Sequence, residues 1–234
     1  LEGKWAEKGS DPVFETKTGS DPLGKVWLGG NCGEPLINKL DGMTAEDVVV
    51  LELSSFQLQD WHRIKKSCDI SVITNITPNH LDWHKDLDEY IWAKTLIYRY
   101  AEGLVIRNAD RPELEFLPMP DGVKFQTYSV ESPPSGLDQS CLLMPGEFNW
   151  SNAIAAYNVF EACAGNDYPR VNQALRRFRG VEHRLEYCGE VNGARCFNDS
   201  IATTPESTLA ALSAFDSGVH LLLGGSEKGL SYDA

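Results

Sequence analysis

Val48-Val49-Val50-Leu51-Glu52-Leu53 is an apolar, largely β-branched run broken by one carboxylate. A run of this length and composition reads as a buried strand. Two more follow at Ile70-Ser71-Val72-Ile73-Thr74-Asn75-Ile76 and Leu104-Val105-Ile106-Arg107. A fourth, Val123-Lys124-Phe125-Gln126-Thr127-Tyr128, carries more polar residues and is expected nearer a sheet edge. Between the second and third lies a helix, with Asp86 as its cap, Glu89 as capping-box partner and Gly103 at its end. Another helix is expected from about Asn149 to Cys163, stopping before Gly165. Strands separated by helices of this length imply βαβ units and a mainly parallel sheet, an α/β fold.

Outward from this core the pattern changes. Residues 1–24 are polar, repeat Gly-Ser-Asp-Pro at 9–12 and 19–22, and read as irregular structure. A boundary is expected near residues 180–190. Beyond it come a hairpin-like stretch at Val191-Asn192-Gly193-Ala194, a strand into Asn198-Asp199, and a helix with Thr204 as N-cap and Pro205 at its first position. The apolar run Val219-His220-Leu221-Leu222-Leu223 reads as a further strand, ending in Gly224-Gly225. The expected division is therefore 1–24, 25–182 and 183–234, the last being the opening of a second α/β domain.

Composition narrows the function. The formal net charge is −13 and 42% of the 234 residues are apolar, enough for a real core. A nucleic-acid binder needs a basic face to neutralise phosphates. The two short basic clusters, Arg63 with Lys65 and Lys66, and Arg176 with Arg177 and Arg179, read as solvated faces. No apolar run approaches the ~20 residues of a membrane span, and no signal peptide opens the chain. Six scattered cysteines without a C-x-x-C pair read as reduced core residues, and the expected compartment is the cytoplasm. A first residue that is Leu, and a last segment that stops soon after a strand, suggest a fragment.

Several residues stand where chemistry is expected. Glu52 ends a strand, and in open parallel sheets the carboxyl ends of strands face the ligand crevice. It is either paired structurally or a metal or substrate ligand; Ser54, Ser55 and Gln57 add polar groups to the same edge. His80 follows the second strand after Thr77-Pro78-Asn79 and is either a hydrogen-bonded loop residue or a metal ligand, with Glu52 suiting magnesium or manganese. His80 and His84 have zinc-helix spacing, but they precede the Asp86 cap and enclose no Glu, so zinc is set aside. Lys94 falls on the apolar stripe of Leu87, Tyr90, Ile91, Tyr98 and Ala101. A buried ammonium is costly; Lys94 either snorkels, binds phosphate, or becomes a carbamate facing a metal. Asn149 and Asn152 share a helix face near its N-terminus, suited to capping or to a nucleotide. Gly19-Ser20-Asp21-Pro22-Leu23-Gly24-Lys25 fits G-x-x-x-x-G-K, but Val26 replaces Ser or Thr and a strand follows where a P-loop needs a helix.

Taken in order, these segments resemble the Mur ligase family, its glutamate-adding members above all. The matching stretches include Gly29-Gly30-Asn31-Cys32-Gly33-Glu34-Pro35-Leu36, Leu51-Glu52-Leu53-Ser54-Ser55-Phe56-Gln57-Leu58 and Thr74-Asn75-Ile76-Thr77-Pro78-Asn79-His80-Leu81-Asp82. Others are Ala93-Lys94-Thr95, Asn108-Ala109-Asp110, Gly146-Glu147-Phe148-Asn149-Trp150-Ser151-Asn152, His183-Arg184-Leu185-Glu186, Asn198-Asp199-Ser200 and Leu222-Leu223-Gly224-Gly225. The resemblance implies an incomplete central, mainly parallel-sheet ATPase domain followed by the start of a Rossmann-like C-terminal domain. It implies ATP and Mg2+ as cofactors, UDP-N-acetylmuramoyl-L-alanine and glutamate as partners, and a monomer. It further implies that Glu52 and His80 hold magnesium, with Lys94 carbamylated beside it. Asn149, Asn152, Arg184 and Asp199 would contact ATP. Asn31 and Ser54 would face the UDP-muramoyl substrate or metal, and Thr203 and Lys228 the incoming glutamate.

There are departures. The family's P-loop precedes the Gly-Gly-Asn segment and is not in this sequence, so the chain as written is expected to lack ATPase activity. Ile201 stands where glutamate-adding members commonly carry Lys, which leaves L-glutamate open beside D-glutamate. A folylpolyglutamate synthase shares the reaction but fits Glu52-Leu53-Ser54-Ser55-Phe56-Gln57-Leu58 less well. A ligase-like chain that binds without turnover is the reading outside enzymes.

Overall fold

A computed structural model describes residues 24–77 and 83–225. They fall into two compact units. The first takes in the described residues up to Ser71, those between 77 and 103, and Pro118–Val123; the second takes in Val72–Ile76, Leu104–Leu117 and the described residues from Lys124 onward.

In the first unit, β1 (Val26–Gly30) runs parallel to β2 (Val48–Glu52), with Val26 opposite Val48 and Gly30 opposite Glu52. Asp47 fixes the entry to this pair. Its carboxylate accepts from the Lys25 amide at 2.8 Å, the Trp27 indole at 2.9 Å and the Thr44 amide at 3.0 Å. β2 is present as expected, but Val49 and Val50 are exposed rather than buried. Among the described residues β2 has a strand neighbour on one edge only. Helix α1 (Ser55–Ile64) follows directly, and α2 (Leu87–Thr95) packs against it.

The sequence reading passed over α1, although its start carries a signature. The Ser54 hydroxyl accepts from the Gln57 amide at 3.3 Å, and the Gln57 side chain accepts from the Ser54 amide at 3.0 Å. This is a reciprocal capping box. α2 starts where expected, Asp86 accepting from the Glu89 amide at 2.9 Å. The Glu89 carboxylate reaches the Lys85 amide at 2.7 Å instead of closing the box on Asp86. The helix stops at Thr95, well short of Gly103. After it the amides of Leu96, Ile97 and Tyr98 turn to carbonyls three residues back, the tightening by which helix ends satisfy their last groups. Gly103 has another purpose: a Cβ there would lie 2.0 Å from the Asp69 carbonyl oxygen. Leu87, placed on the buried stripe from sequence, is exposed, whereas Tyr90, Ala93, Leu96 and Tyr98 are buried.

The second unit is built on a three-stranded sheet in the order β3 (Ile70–Ile73), β4 (Leu104–Asn108), β5 (Lys124–Tyr128), with β4 and β5 parallel and β5 at the edge. The long helix α3 (Glu147–Ala164) packs on β4 and β5 through Trp150, Ala153, Ile154 and Tyr157. Gly165 ends it at φ 79°, a left-handed conformation suited to glycine. The short helix α4 (Tyr168–Leu175) is capped by Asp167. β6 (Glu186–Val191) and β7 (Ala194–Asn198) form the expected hairpin, antiparallel and closed by Asn192 and Gly193, both at positive φ. Helix α5 (Pro205–Leu212) has Thr204 as N-cap and Pro at its start, as read from sequence.

The strand expected at 219–223 does not form. No described residue pairs with it, and Leu222 is 95% exposed. A strand needs a neighbour to take its amides and carbonyls; composition alone does not supply one.

No helix among the described residues is long and apolar enough to cross a membrane. None of the six cysteines is in a disulfide. Only Cys141 is a buried core residue; Cys163 and Cys188 are exposed, which corrects the reading of all six as core.

Candidate functional site

The carboxyl ends of β1 and β2 meet at Gly30 and Glu52, and the candidate metal side of the site starts there. Gly30 adopts φ 100°, and a Cβ on it would lie 2.2 Å from the Glu52 carbonyl oxygen. The chain then turns so that the Asn31 amide N–H donates to that same carbonyl at 2.7 Å and the Asn31 side chain donates to the Glu52 carboxylate at 3.3 Å. Glu52 is exposed, so its carboxylate keeps oxygen lone pairs for a ligand. The pKa of the neighbouring Cys32 thiol is pushed up by burial and by the charge of Glu52.

Lys94 lies in the last turn of α2, half-buried, with Nζ 5.8 Å from the Tyr90 ring centre. Burial pushes its ammonium below the usual lysine range, and the charge of Glu52 opposes that shift. The sequence places Lys94 on the buried face of α2, and the side chain is half-buried there. A lysine with an enlarged neutral fraction is a better nucleophile toward an electrophile such as carbon dioxide.

Ser54 spends its hydroxyl on the Gln57 cap, and Ser55 spends its own on the His84 ring, 2.9 Å from Nε2. His80 lies outside the described residues, as does Lys228. Among the described residues no group of three or more His, Cys, Asp and Glu side chains could hold a metal. The donor set present is one exposed carboxylate with amide and hydroxyl oxygens nearby. These are hard oxygen ligands, and a magnesium ion bound through one or two carboxylates while keeping several waters fits them.

In the second unit, the expected nucleotide residues gather around the start of α3 and the turn before β6. Asn149 is the third residue of α3, not its cap; Gly146 is the cap. Asn149 is buried and donates to the Pro145 carbonyl at 2.6 Å, bracing the loop that enters the helix. Asn152 is exposed on the next turn. Arg184 is exposed, with its guanidinium 6.0 Å from the ring centre of Phe148, the residue before Asn149. His183 and Leu185, on either side of it, both have positive φ, at 66° and 43°. Such strain costs roughly 1–3 kcal/mol per residue and is held by its surroundings. Asp199 is one of the holders, accepting from the Leu185 amide at 3.0 Å. Thr203 is exposed one residue before the α5 cap.

Beside the start of α3 is a cavity of about 450 Å³, lined by Val130, Glu131, Leu142, Met144, Gly146 and Trp150 among others. Asp110 shapes its wall by accepting from the Ser129 hydroxyl and, at 2.8 Å, from the Val130 amide. The sequence pass quoted Asp110 but gave it no role.

Residues 35–138 match the Mur ligase middle domain. The chain belongs to the Mur ligase family. This Mur ligase chain is 38% identical over 232 residues to the UDP-N-acetylmuramoylalanine–D-glutamate ligase of Acetivibrio thermocellus, covering 90% of this chain and 49% of that protein. It is 37% identical to the enzyme of the same name from Clostridium botulinum, covering 89% and 48%. The Mur ligase chain thus spans about half the length of the curated relatives it matches. Among solved structures it resembles the MurF ligase of Thermotoga maritima in complex with ADP, with a TM-score of 0.61 at 16% identity over 81% of this chain and 50% of that one. It also resembles the UDP-N-acetylmuramate–alanine ligase MurC of Thermotoga maritima, with a TM-score of 0.52 at 20% identity over 81% and 53%. At these identities the two structures establish the fold, a mixed α/β arrangement with parallel strands.

Proposed function

We propose that the protein carrying these residues is a cytoplasmic, ATP-dependent ligase that adds glutamate to UDP-N-acetylmuramoyl-L-alanine. The observation that carries this reading is the Glu52, Asn31 and Lys94 arrangement at the carboxyl ends of β1 and β2. It occurs in a chain whose curated relatives bear that name. In this reading residues 25–182 form the central domain without its P-loop segment, and 183–234 open the C-terminal domain.

The reaction joins an acid to an amine through an activated acid. A carboxylate oxygen of the muramoyl substrate attacks the γ-phosphorus of ATP, ADP leaves, and an acyl phosphate forms. The glutamate nitrogen then attacks the acyl carbon, the C–O bond to phosphate breaks, and the amine gives up its proton as the amide forms. Most of the catalysis is positioning and charge stabilisation.

Glu52, His80 and a carbamylated Lys94 would hold magnesium, which supplies charge stabilisation for the phosphoryl oxygens. In its neutral form the Lys94 amine adds to carbon dioxide, forms N–C(O)O⁻ and releases one proton. That conversion turns a costly buried cation into an oxygen donor. Asn31 and Ser54 orient the muramoyl substrate. Asn149, Asn152, Arg184 and Asp199 contact ATP, and Thr203 and Lys228 meet the glutamate. The deciding experiment is phosphate release by the full-length protein with ATP, magnesium and UDP-N-acetylmuramoyl-L-alanine, with D-glutamate and L-glutamate in parallel. Release with D-glutamate alone is expected; release with neither isomer overturns the reading.

A further inference from the structure

His84 is a deeply buried imidazole in the first unit, only 2% exposed. Its Nε2 lies 2.9 Å from the Ser55 hydroxyl. One face stacks on Phe56 at 5.6 Å between centres and 0° between planes, and Tyr90 meets it edge-on at 5.4 Å. Its Nδ1 is buried and has no hydrogen-bond partner among the described residues.

The two ring nitrogens make this an expensive way to fill space. In one tautomer Nε2 accepts from Ser55 and a buried Nδ1–H is unpaired; in the other Nε2–H donates and a buried Nδ1 lone pair is unpaired. Either choice costs about 1–3 kcal/mol, whereas an apolar ring of the same shape would carry no such cost. A residue present only for packing gains nothing from the second nitrogen. What the imidazole supplies is the bond to Ser55, the first residue of α1 and three residues after Glu52. It also joins that turn to the segment leading into α2, which bears Lys94 and which follows His80 by four residues.

We propose that His84 is a positioning residue for the metal side of the site, acting through Ser55 to hold the turn after Glu52 against the residues that lead directly into α2. The proposal rests on the reading of Glu52 as a metal ligand. Residues that orient ligands from behind typically change metal affinity by about 10–100-fold when removed.

The test uses His84→Phe, which keeps a ring of similar volume, and Ser55→Ala, which removes only the hydroxyl, with the double variant, all in the full-length protein. Manganese affinity measured by electron paramagnetic resonance needs no turnover and serves as the primary readout. Each single variant is expected to weaken manganese about 10-fold, and the double variant no further, because the two act through one bond. Partial recovery in His84→Gln, which can still donate toward Ser55, supports the same conclusion. Unchanged manganese affinity in Ser55→Ala, or additive losses in the double variant, overturns it; this holds even if His84→Phe fails to fold. If the parent binds manganese but releases no phosphate, the ligase assignment fails while the role of His84 is still decided. If Glu52→Ala binds manganese as the parent does, the metal reading fails and this proposal with it.

Discussion

Gly30 faces Glu52 across the last rung of the β1–β2 ladder, and its missing side chain is what lets the two strands stay parallel to that point. A Cβ would sit 2.2 Å from the Glu52 carbonyl oxygen, and the backbone is at φ 100°. Gly30→Ala is therefore expected to cost about 2–4 kcal/mol, combining backbone strain with a clash against main chain that cannot swing aside. Chemical denaturation checks it. A loss below about 0.5 kcal/mol, the range of ordinary surface changes, would show that the strands adjust freely.

Asp47 gives an acid-side prediction. Three N–H donors, the Trp27 indole foremost, hold its carboxyl down from the ordinary 3.8 to about 2. A carboxyl with a depressed folded pKa contributes stability that is complete above its unfolded pKa and is lost as pH falls through its folded one. Asp47→Asn should lower the melting temperature at neutral pH. It should also flatten the loss of stability between pH 3.8 and about 2 relative to the parent. Parallel melting curves for the two proteins across that window would count against the assignment.

Removing the cap at α1 has a known scale. Ser54→Ala deletes the acceptor for the Gln57 amide, and N-cap losses of this kind cost about 1 kcal/mol. Gln57→Ala removes the returning half of the box, so the double variant should lose less than the sum of the singles. Urea unfolding of the three variants measures the coupling directly.

The fold was legible wherever local chemistry decides structure. The Asp86 and Thr204 caps, Gly165 and the Asn192-Gly193 turn each act through residues within four positions, and the β2 to β5 runs show in composition; each stands close to where the sequence placed it. What the sequence hid was set by distant partners. The end of α2 depends on a tightened turn that no glycine marks, and Gly103 answers to Asp69 rather than to the helix. The run 219–223 has strand composition and no strand neighbour. In the site, Glu52 and Lys94 were readable as charges in apolar patterns. His84 was set aside with zinc because it precedes the Asp86 cap and no Glu lies between it and His80; its actual partner, Ser55, is 29 positions away and invisible to local spacing. The signal that would have found α1 was the Ser54-x-x-Gln57 spacing.

Lys94 gives a prediction at the alkaline end, where the ionised group destabilises the fold rather than supporting it. Burial depresses its pKa from the ordinary 10.5, with Glu52 opposing, so the unfolded chain binds more protons than the folded one between the depressed value and 10.5. Stability then rises with pH through that window. Lys94→Met should be at least as stable as the parent at neutral pH, and the difference should shrink as pH approaches 10.5. Thermal melts of the pair across pH 7 to 10.5, run without carbon dioxide, check the sign. A Met variant less stable at neutral pH would mean that attraction to Glu52 outweighs burial.

The hairpin turn can be tested alone. Gly193 sits at φ 82° with nothing near its missing Cβ, so Gly193→Ala isolates backbone strain from crowding. A cost of about 1–2 kcal/mol is expected for a left-handed alanine. It should appear as faster amide exchange in Glu186–Asn198. Unchanged exchange there would show that the turn is not what closes the hairpin.

The unpaired run at 219–223 governs how the polypeptide behaves as a colloid. Leu222 and Leu223 are 95% and 72% exposed, in an apolar run without a strand neighbour among the described residues, a surface through which copies can associate. A net charge of −13 holds copies apart at neutral pH and low salt. That repulsion fades once salt shortens its reach to about 10 Å near 0.1 M, or once acid neutralises the carboxylates. Solutions that stay clear in dilute neutral buffer should then turn cloudy on acidification before unfolding is detected.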